Sequence, residues 1–164
     1  MASFQDNMNE YQKQLTEGSI QVAYRGLMQY MLGLITNFKK KFTTFSVPGN
    51  IYYGYMDMTY FSIIPKPLKN RKLKVAVAFF HESFRFEAWL AGVNKQVQAE
   101  YWHLFKENGW SKYPLVPNLV GSDSIIEHIL VDKPDFNNLD TLTNQIEKET
   151  INFILSIQDI LATL

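Results

Sequence analysis

The chain has 164 residues, of which 46% are hydrophobic and 20% charged, a composition typical of a folded globular protein rather than a disordered one. It contains no cysteine, which excludes disulfides, thiolate metal sites and cysteine nucleophiles. The net charge is zero, yet residues 1–74 hold ten basic and four acidic residues (net +6), and residues 75–164 hold six and twelve (net −6).

The sequence indicates one domain over residues 1–164, without linker, repeat or low-complexity segment. The N-terminus lacks the basic region and apolar core of a signal peptide, and no apolar run is long enough to span a membrane. We therefore expect a soluble cytoplasmic protein. The basic clusters at 39–41 and 66–74 are typical of a helix end and a polar loop, so they do not favour nucleic-acid binding.

Two helices are predicted before residue 42. Met8, Tyr11 and Leu15 form an apolar stripe, which Gly18-Ser19 interrupts as a stop followed by a new N-cap. From Ile20 to Phe38 the apolar residues again follow helical spacing, until the lysine run. The apolar arc of this second helix is wide enough to lie across a core.

Three strands are predicted next. Alternation from residue 51 places Tyr53, Tyr55 and Asp57 on one face of the first, and residues 74–80 and 84–90 form a hairpin with a turn at 81–83. If Glu82-Ser83 is the loop, Ala78 lies opposite Glu87. One hairpin face is then apolar core, and the other mixes polar and aromatic groups with alanines: Arg85, Glu87, Trp89, Ala76, Ala78 and Phe80.

A helix from Ala91-Gly92 to about Lys106, a strand over 125–131 and a helix over 139–161 complete the predicted elements. In the first of these helices Val93 and Val97 are expected to pack inward, with Asn94 and Gln98 on the neighbouring stripe. The order α-α-β-β-β-α-β-α predicts an α+β fold, with a mostly antiparallel sheet of three to four strands packed by the long N- and C-terminal helices.

Polar groups among apolar neighbours mark the candidate site, because such groups are costly unless they are paired or used. The leading hypothesis is a cleft that binds a small molecule or a protein partner, with no cofactor or resident metal. Aromatic walls, an arginine for an anionic group and orienting amides would come from Tyr53, Tyr55, Asp57, Arg85, Glu87, Trp89, Asn94 and Gln98. The same Asp57, Arg85 and Glu87 could instead form a structural network that fixes strand register. A homodimer formed through an exposed apolar helix face is a further possibility.

The alternative hypothesis is a divalent-metal nuclease or phosphodiesterase, in which Asp57 and Glu87 hold Mg²⁺ and Lys95 completes the catalytic set. The α-β-β-β-α-β order resembles the core of the PD-(D/E)-x-K nuclease superfamily. The chain departs from that pattern at Glu87-Ala88-Trp89, where the family has E-x-K. The resemblance therefore implies either a lysine relocated to Lys95 or a degenerate, inactive relative.

Three segments carry a second resemblance: GSIQVAYRGLMQYM, YYGYMDMTYF and FRFEAWLAGVNKQVQAEYW. Together they resemble an uncharacterised bacterial family, a domain of unknown function, over most of residues 8–106. The resemblance implies a stand-alone bacterial protein and brings no activity, cofactor or catalytic residue with it.

Overall fold

The structure, a computed structural model, describes residues 1–164 and divides into two compact units, residues 1–34 and 35–164. The prediction of a single domain stays a prediction. In the first unit, α1 spans Phe4–Glu17 and begins with a reciprocal cap in which Ser3 and Asp6 bond each other's backbone N–H. Helix α2 spans Ile20–Lys41, and the boundary between the units falls within it.

Helix α1 buries none of its residues. Phe4, Met8 and Tyr11 remain exposed along it, at 81%, 42% and 57%. The predicted homodimer would use such a face, but its existence stays a prediction.

The second unit contains a five-stranded antiparallel sheet in the order β1-β2-β3-β4-β5. Its strands are β1 (Phe45–Ser46), β2 (Met58–Pro65), β3 (Leu73–Phe80), β4 (Arg85–Gly92) and β5 (Ile126–Val131). Its helices are α3 (Lys66–Lys69), α4 (Lys95–Glu107) and α5 (Leu139–Thr163). The α+β class and element order are confirmed, and the sheet has five strands rather than three to four, because the two-residue β1 adds an edge too short to predict.

The hairpin of β3 and β4 follows the predicted register, with Ala78 opposite Glu87 and Phe80 opposite Arg85. The predicted core face is also confirmed, since Val75, Val77, Phe79, Phe86, Ala88 and Leu90 are all fully buried. The turn is one residue longer than predicted, because Phe84 has φ of 55° and leaves the ladder. The two-residue period of side-chain direction, together with the position of the turn, is therefore enough to predict the register of this hairpin.

The first predicted strand was wrong over its first half. β2 begins at Met58, and Tyr53, Tyr55 and Asp57 lie in the preceding turn rather than on a strand face. Gly54 and Met56 adopt φ of 70° and 62°, a left-handed conformation that ends the alternation. A side chain at Gly54 would collide with the Met58 carbonyl, so only glycine fits the turn.

Helix α4 also begins later than predicted. Asn94 is its N-cap, with Oδ1 accepting the Val97 N–H at 2.9 Å. Val93, predicted to pack inward, precedes the cap and is 57% exposed. Gly92 allows the close approach of strand and helix, since a Cβ there would lie 2.7 Å from the Gln98 backbone nitrogen.

Candidate functional site

The second face of the sheet consists of the side chains that alternate with the core positions. Across β2, β3 and β4 the register aligns Tyr60, Ala78 and Glu87 in one row, and places Ala76 beside Trp89 in the next. Large rings therefore alternate with alanines on this face. At Ala76 and Ala91 the short side chain leaves the space above the Cβ unfilled, so the face is indented there rather than flat.

Trp89 is the largest side chain on this face. Its ring meets that of Phe80 with centroids 5.0 Å apart, and Ala78, which lies between them in the ladder, is fully buried. Ala76 and Ala91, on the other side of Trp89, each keep 8% of their surface exposed. The indole thus forms a wall beside a floor of small residues.

The Trp89 ring is held in place by a buried carboxylate. Its Nε1–H donates to Glu87 Oε2 at 2.7 Å, while Arg85 donates from Nε and Nη2 to Glu87 Oε1, each at 2.6 Å. Glu87 is 4% exposed, and both of its oxygens have donors. Arg85 Nη1 also lies 3.9 Å from the exposed Asp132 carboxylate. The carboxylate is thus paired, as a buried charge must be to avoid a large desolvation cost.

The turn before β2 forms a second aromatic wall. Tyr52 and Tyr60 exchange both backbone hydrogen bonds in an isolated bridge, and their rings stack with centroids 5.0 Å apart. The loop between them closes on itself, because the Thr59 hydroxyl donates to the Tyr53 carbonyl at 2.7 Å.

His81, in the β3–β4 turn, bonds the same loop. Its Nε2 lies 2.9 Å from Thr59 Oγ1. Because the Thr59 hydroxyl donates its one proton to the Tyr53 carbonyl, the His81 nitrogen must be the donor in this bond. Burial lowers the pKa of His81 from its ordinary 6.5, and the Asp57 carboxylate offsets part of that shift.

Asp57 is a turn residue at the rim, not the desolvated strand carboxylate that the sequence predicted. Its Oδ1 accepts the Tyr55 N–H at 2.8 Å, and its side chain is exposed. Hydrogen bonds from backbone amides, first that of Tyr55, hold the pKa of Asp57 below its usual range. The carboxylate therefore stabilises the turn that carries Tyr52.

The start of α4 forms the remaining wall. Gln98 is 3% exposed and donates both Nε2 hydrogens to carbonyls, those of Ser122 at 2.9 Å and Ser124 at 2.8 Å. Lys95 Nζ donates to the Ser122 carbonyl at 2.6 Å and pairs with Asp123 at 3.0 Å. These bonds tie the segment before β5 to the first turn of the helix.

Together these walls border an open cleft with a volume of about 500 Å³. That volume is within the range of small-molecule sites. The lining residues come from the β2 turn, three strands, the start of α4 and the segment before β5: Tyr52, Asp57, Met58, Tyr60, Lys74, Ala76, Trp89, Ala91, Gly92, Val93, Asn94, Lys95, Gln98 and Asp123.

Five of the residues predicted for the site line this cleft, namely Asp57, Trp89, Asn94, Lys95 and Gln98. The other four, Tyr53, Tyr55, Arg85 and Glu87, are outside the lining. Tyr53 and Tyr55 point to solvent, at 51% and 93% exposure, and Arg85 and Glu87 form the ion pair behind Trp89.

Sequence reasoning missed several lining residues. Tyr52 and Tyr60 are not among the predicted site residues, although the pair Tyr52-Tyr53 just before Gly54 is a usable signal. Lys74 belongs to the basic cluster at 66–74 and begins the predicted strand 74–80, with no role in the predicted site, and Asp123 precedes the predicted strand 125–131 without a predicted role. Ala76 carries no chemical signal of its own, because it contributes by being small.

The structure holds no group of three or more His, Asp or Glu side chains placed to bind a metal ion. No helix is both long and apolar enough to cross a membrane. The cytoplasmic location and bacterial origin stay predictions.

Comparison with known proteins agrees with the family resemblance. Neither a curated protein nor a solved structure matches the chain. A family model described as "Domain of unknown function (DUF7000)" matches residues 4–161. The chain therefore belongs to this family of domains of unknown function.

Proposed function

We propose that this protein binds a small organic molecule in the cleft on the second face of its sheet. The observation that carries the proposal is the convergence of two aromatic walls and the start of α4 around a floor of alanines. Ligand sites have this composition, a mostly apolar concavity with a few placed polar groups.

Contacts within the protein orient the rings of both walls, which supports the same proposal. Glu87 fixes the Trp89 indole at 2.7 Å, and the stacked pair of Tyr52 and Tyr60 is fixed by a backbone bridge. A site whose rings are already oriented loses little conformational entropy on binding.

The same contacts favour binding over metal-dependent hydrolysis. To hold Mg²⁺, Glu87 would have to release Arg85 or Trp89, and leaving such donors unpaired is costly. Lys95, the catalytic lysine of that alternative, is already bonded to Ser122 and Asp123. Asp57 accepts a backbone N–H in its own turn.

A variant that fills the cleft tests the proposal without removing any contact. Ala76→Leu adds a side chain to the floor, where β-structure tolerates leucine, and Ala162→Leu makes the same change at an exposed position of α5. Ligand-observed NMR with phenol, indole, benzoate and benzylamine covers neutral, anionic and cationic planar probes.

We expect at least one of these probes to bind the wild-type and Ala162→Leu proteins and to lose binding in Ala76→Leu. Absence of binding by all four, or binding that Ala76→Leu leaves unchanged, would contradict the proposal. Thermal stabilisation by Mg²⁺ that disappears in both Asp57→Asn and Glu87→Gln would support the hydrolytic alternative instead.

A further inference from the structure

The charges that line the cleft do not balance locally. Lys95 is paired with Asp123 at 3.0 Å, and Asp57 accepts a backbone N–H within its turn. Lys74 also lines the cleft, but none of the ion pairs in the structure includes it. It is the charged lining residue that has no partner within the protein.

Lys74 and Asp57 lie toward opposite ends of the cleft. Lys74 is opposite Ala91 in the β3–β4 ladder, whereas Asp57 precedes Met58, which is opposite Phe80 at the other end of β3. The Lys74 end also contains the start of α4, whose first turn has no acidic residue. The helix dipole and the ammonium group therefore both favour a negative charge at this end.

A hydrogen-bond acceptor of Gln98 faces the same cleft. Because Gln98 directs Nε2 at two carbonyls, its amide orientation is fixed and Oε1 must lie on the other side. Oε1 accepts no hydrogen bond from the protein, and the buried side-chain atoms that lack a partner are those of Glu147 and Thr150, so solvent in the cleft reaches the Gln98 oxygen. An acceptor whose only partner is water can accept an N–H or O–H from a bound molecule instead.

The geometry points to a planar aromatic carboxylate as the class of ligand, with its anionic group at Lys74 and an N–H or O–H donated to Gln98 Oε1. This inference rests on the proposed function and adds the charge and polarity of the ligand. The ring packs on the floor of Ala76 and Ala91, between the aromatic walls. Charge-assisted hydrogen bonds to the ammonium group are the strongest polar contacts available in this cleft.

The proposed ligand class can be tested with four probes, three of which differ from para-hydroxybenzoate in a single group. Para-hydroxybenzoate has both the charge and the donor, para-hydroxybenzamide lacks the charge, para-methoxybenzoate lacks the donor, and para-hydroxybenzylamine inverts the charge. We expect para-hydroxybenzoate to bind about tenfold more tightly than the amide and about fivefold more tightly than the methoxy acid. The amine should bind most weakly. Changing the ligand is preferable to changing Gln98, whose side chain also holds Ser122 and Ser124.

The protein variants assign the charge effect to one residue. Lys74→Met should weaken the binding of para-hydroxybenzoate about five- to tenfold and leave the affinity for para-hydroxybenzamide unchanged. Lys69→Met, the same change at an exposed position of the same basic stretch, should leave both affinities unchanged.

Two outcomes would overturn the inference while leaving the proposed function intact. In one, Ala76→Leu abolishes binding, yet the acid and the amide bind equally and Lys74→Met has no effect. In the other, the amine binds best and Asp57→Asn weakens it. If no probe binds, or Ala76→Leu changes nothing, the proposed function itself fails.

Discussion

The two faces of the β3–β4 hairpin differ in how their side chains fill space, although both come from the same two strands. On the core face, Val75, Val77, Phe79 and Phe86 are fully buried and fill the space between sheet and helices. On the second face, Ala76 and Ala91 lie beside Trp89, and the space above these small residues stays open. Residue size, more than polarity, separates a packing surface from a cleft here.

Polar groups on the second face fall into two kinds, those bonded within the protein and those without a partner in it. Glu87 is used within the protein, where it neutralises Arg85 and orients Trp89. Lys74 and the Gln98 carbonyl oxygen are not used in this way. The difference distinguishes residues that build the wall from residues that are available to a ligand.

The largest expected effect is on the core face. Phe79→Ala should lower the free energy of unfolding by about 3–5 kcal/mol, because a fully buried ring in contact with Phe86 leaves a cavity. Phe80→Ala removes the same atoms from the half-buried second face and should cost about half as much. Urea denaturation measures both, and equal losses would contradict the contrast between the faces.

A smaller effect on stability is expected when the ion pair of Arg85 and Glu87 is broken. Glu87→Gln keeps the side-chain shape but loses the charge that Arg85 bonds, and should lower the free energy of unfolding by about 2 kcal/mol. Glu82→Gln, in the exposed turn, is the control and should change stability by less than about 0.5 kcal/mol. If the two variants are equally stable, Glu87 does not fix the wall.

Substitution of a buried hydroxyl should stabilise the protein. Thr150 of α5 is fully buried, and its Oγ1 has no hydrogen-bond partner. Thr150→Val replaces that hydroxyl with a methyl group of similar size and should raise the free energy of unfolding by about 1 kcal/mol. Thr141→Val, at an exposed position in the first turn of α5, should give no such gain in the same urea series. A loss of stability in Thr150→Val would show that the hydroxyl has a partner.

The smallest effect concerns pH at the loop beside the cleft. Burial holds the pKa of His81 below its unfolded value of 6.5, so the unfolded chain binds a proton first as pH falls. The contribution of this group to stability is therefore complete above about pH 6.5 and is lost as pH falls below it. His81→Gln should show a shallower loss of stability between about pH 7 and pH 5 in urea denaturation. Identical pH profiles would contradict this assignment.

The sequence predicted the hairpin better than the cleft, for a physical reason. Each residue from Val75 to Phe80 and from Arg85 to Leu90 follows the period of two, so the register and the core face could both be predicted. The turn before β2 could not, because Gly54 and Met56 leave the extended conformation where the letters still alternate. Tyr53, Tyr55 and Asp57 were misplaced for that single reason.

Local sequence patterns place some of the residues that line the cleft, and give no signal for their partners. Helical spacing places Asn94 and Gln98 together, alternation places Trp89 on the second face, and all three line the cleft. The partners of Lys95 and Gln98 lie in the segment 122–124, which has no regular pattern and is distant in sequence. Contacts of that kind depend on the tertiary fold and leave no local signal.

The three tryptophans provide the most direct test that the second face is a binding cleft. Each indole N–H is bonded, Trp89 to Glu87, Trp102 to the Val116 carbonyl and Trp110 to the Tyr113 carbonyl, and only Trp89 lines the cleft. A ¹H–¹⁵N NMR titration with para-hydroxybenzoate, with signals assigned by single Trp→Phe variants, should shift the Trp89 indole signal and leave the other two in place. An unmoved Trp89 signal, or equal shifts of all three, would contradict the account.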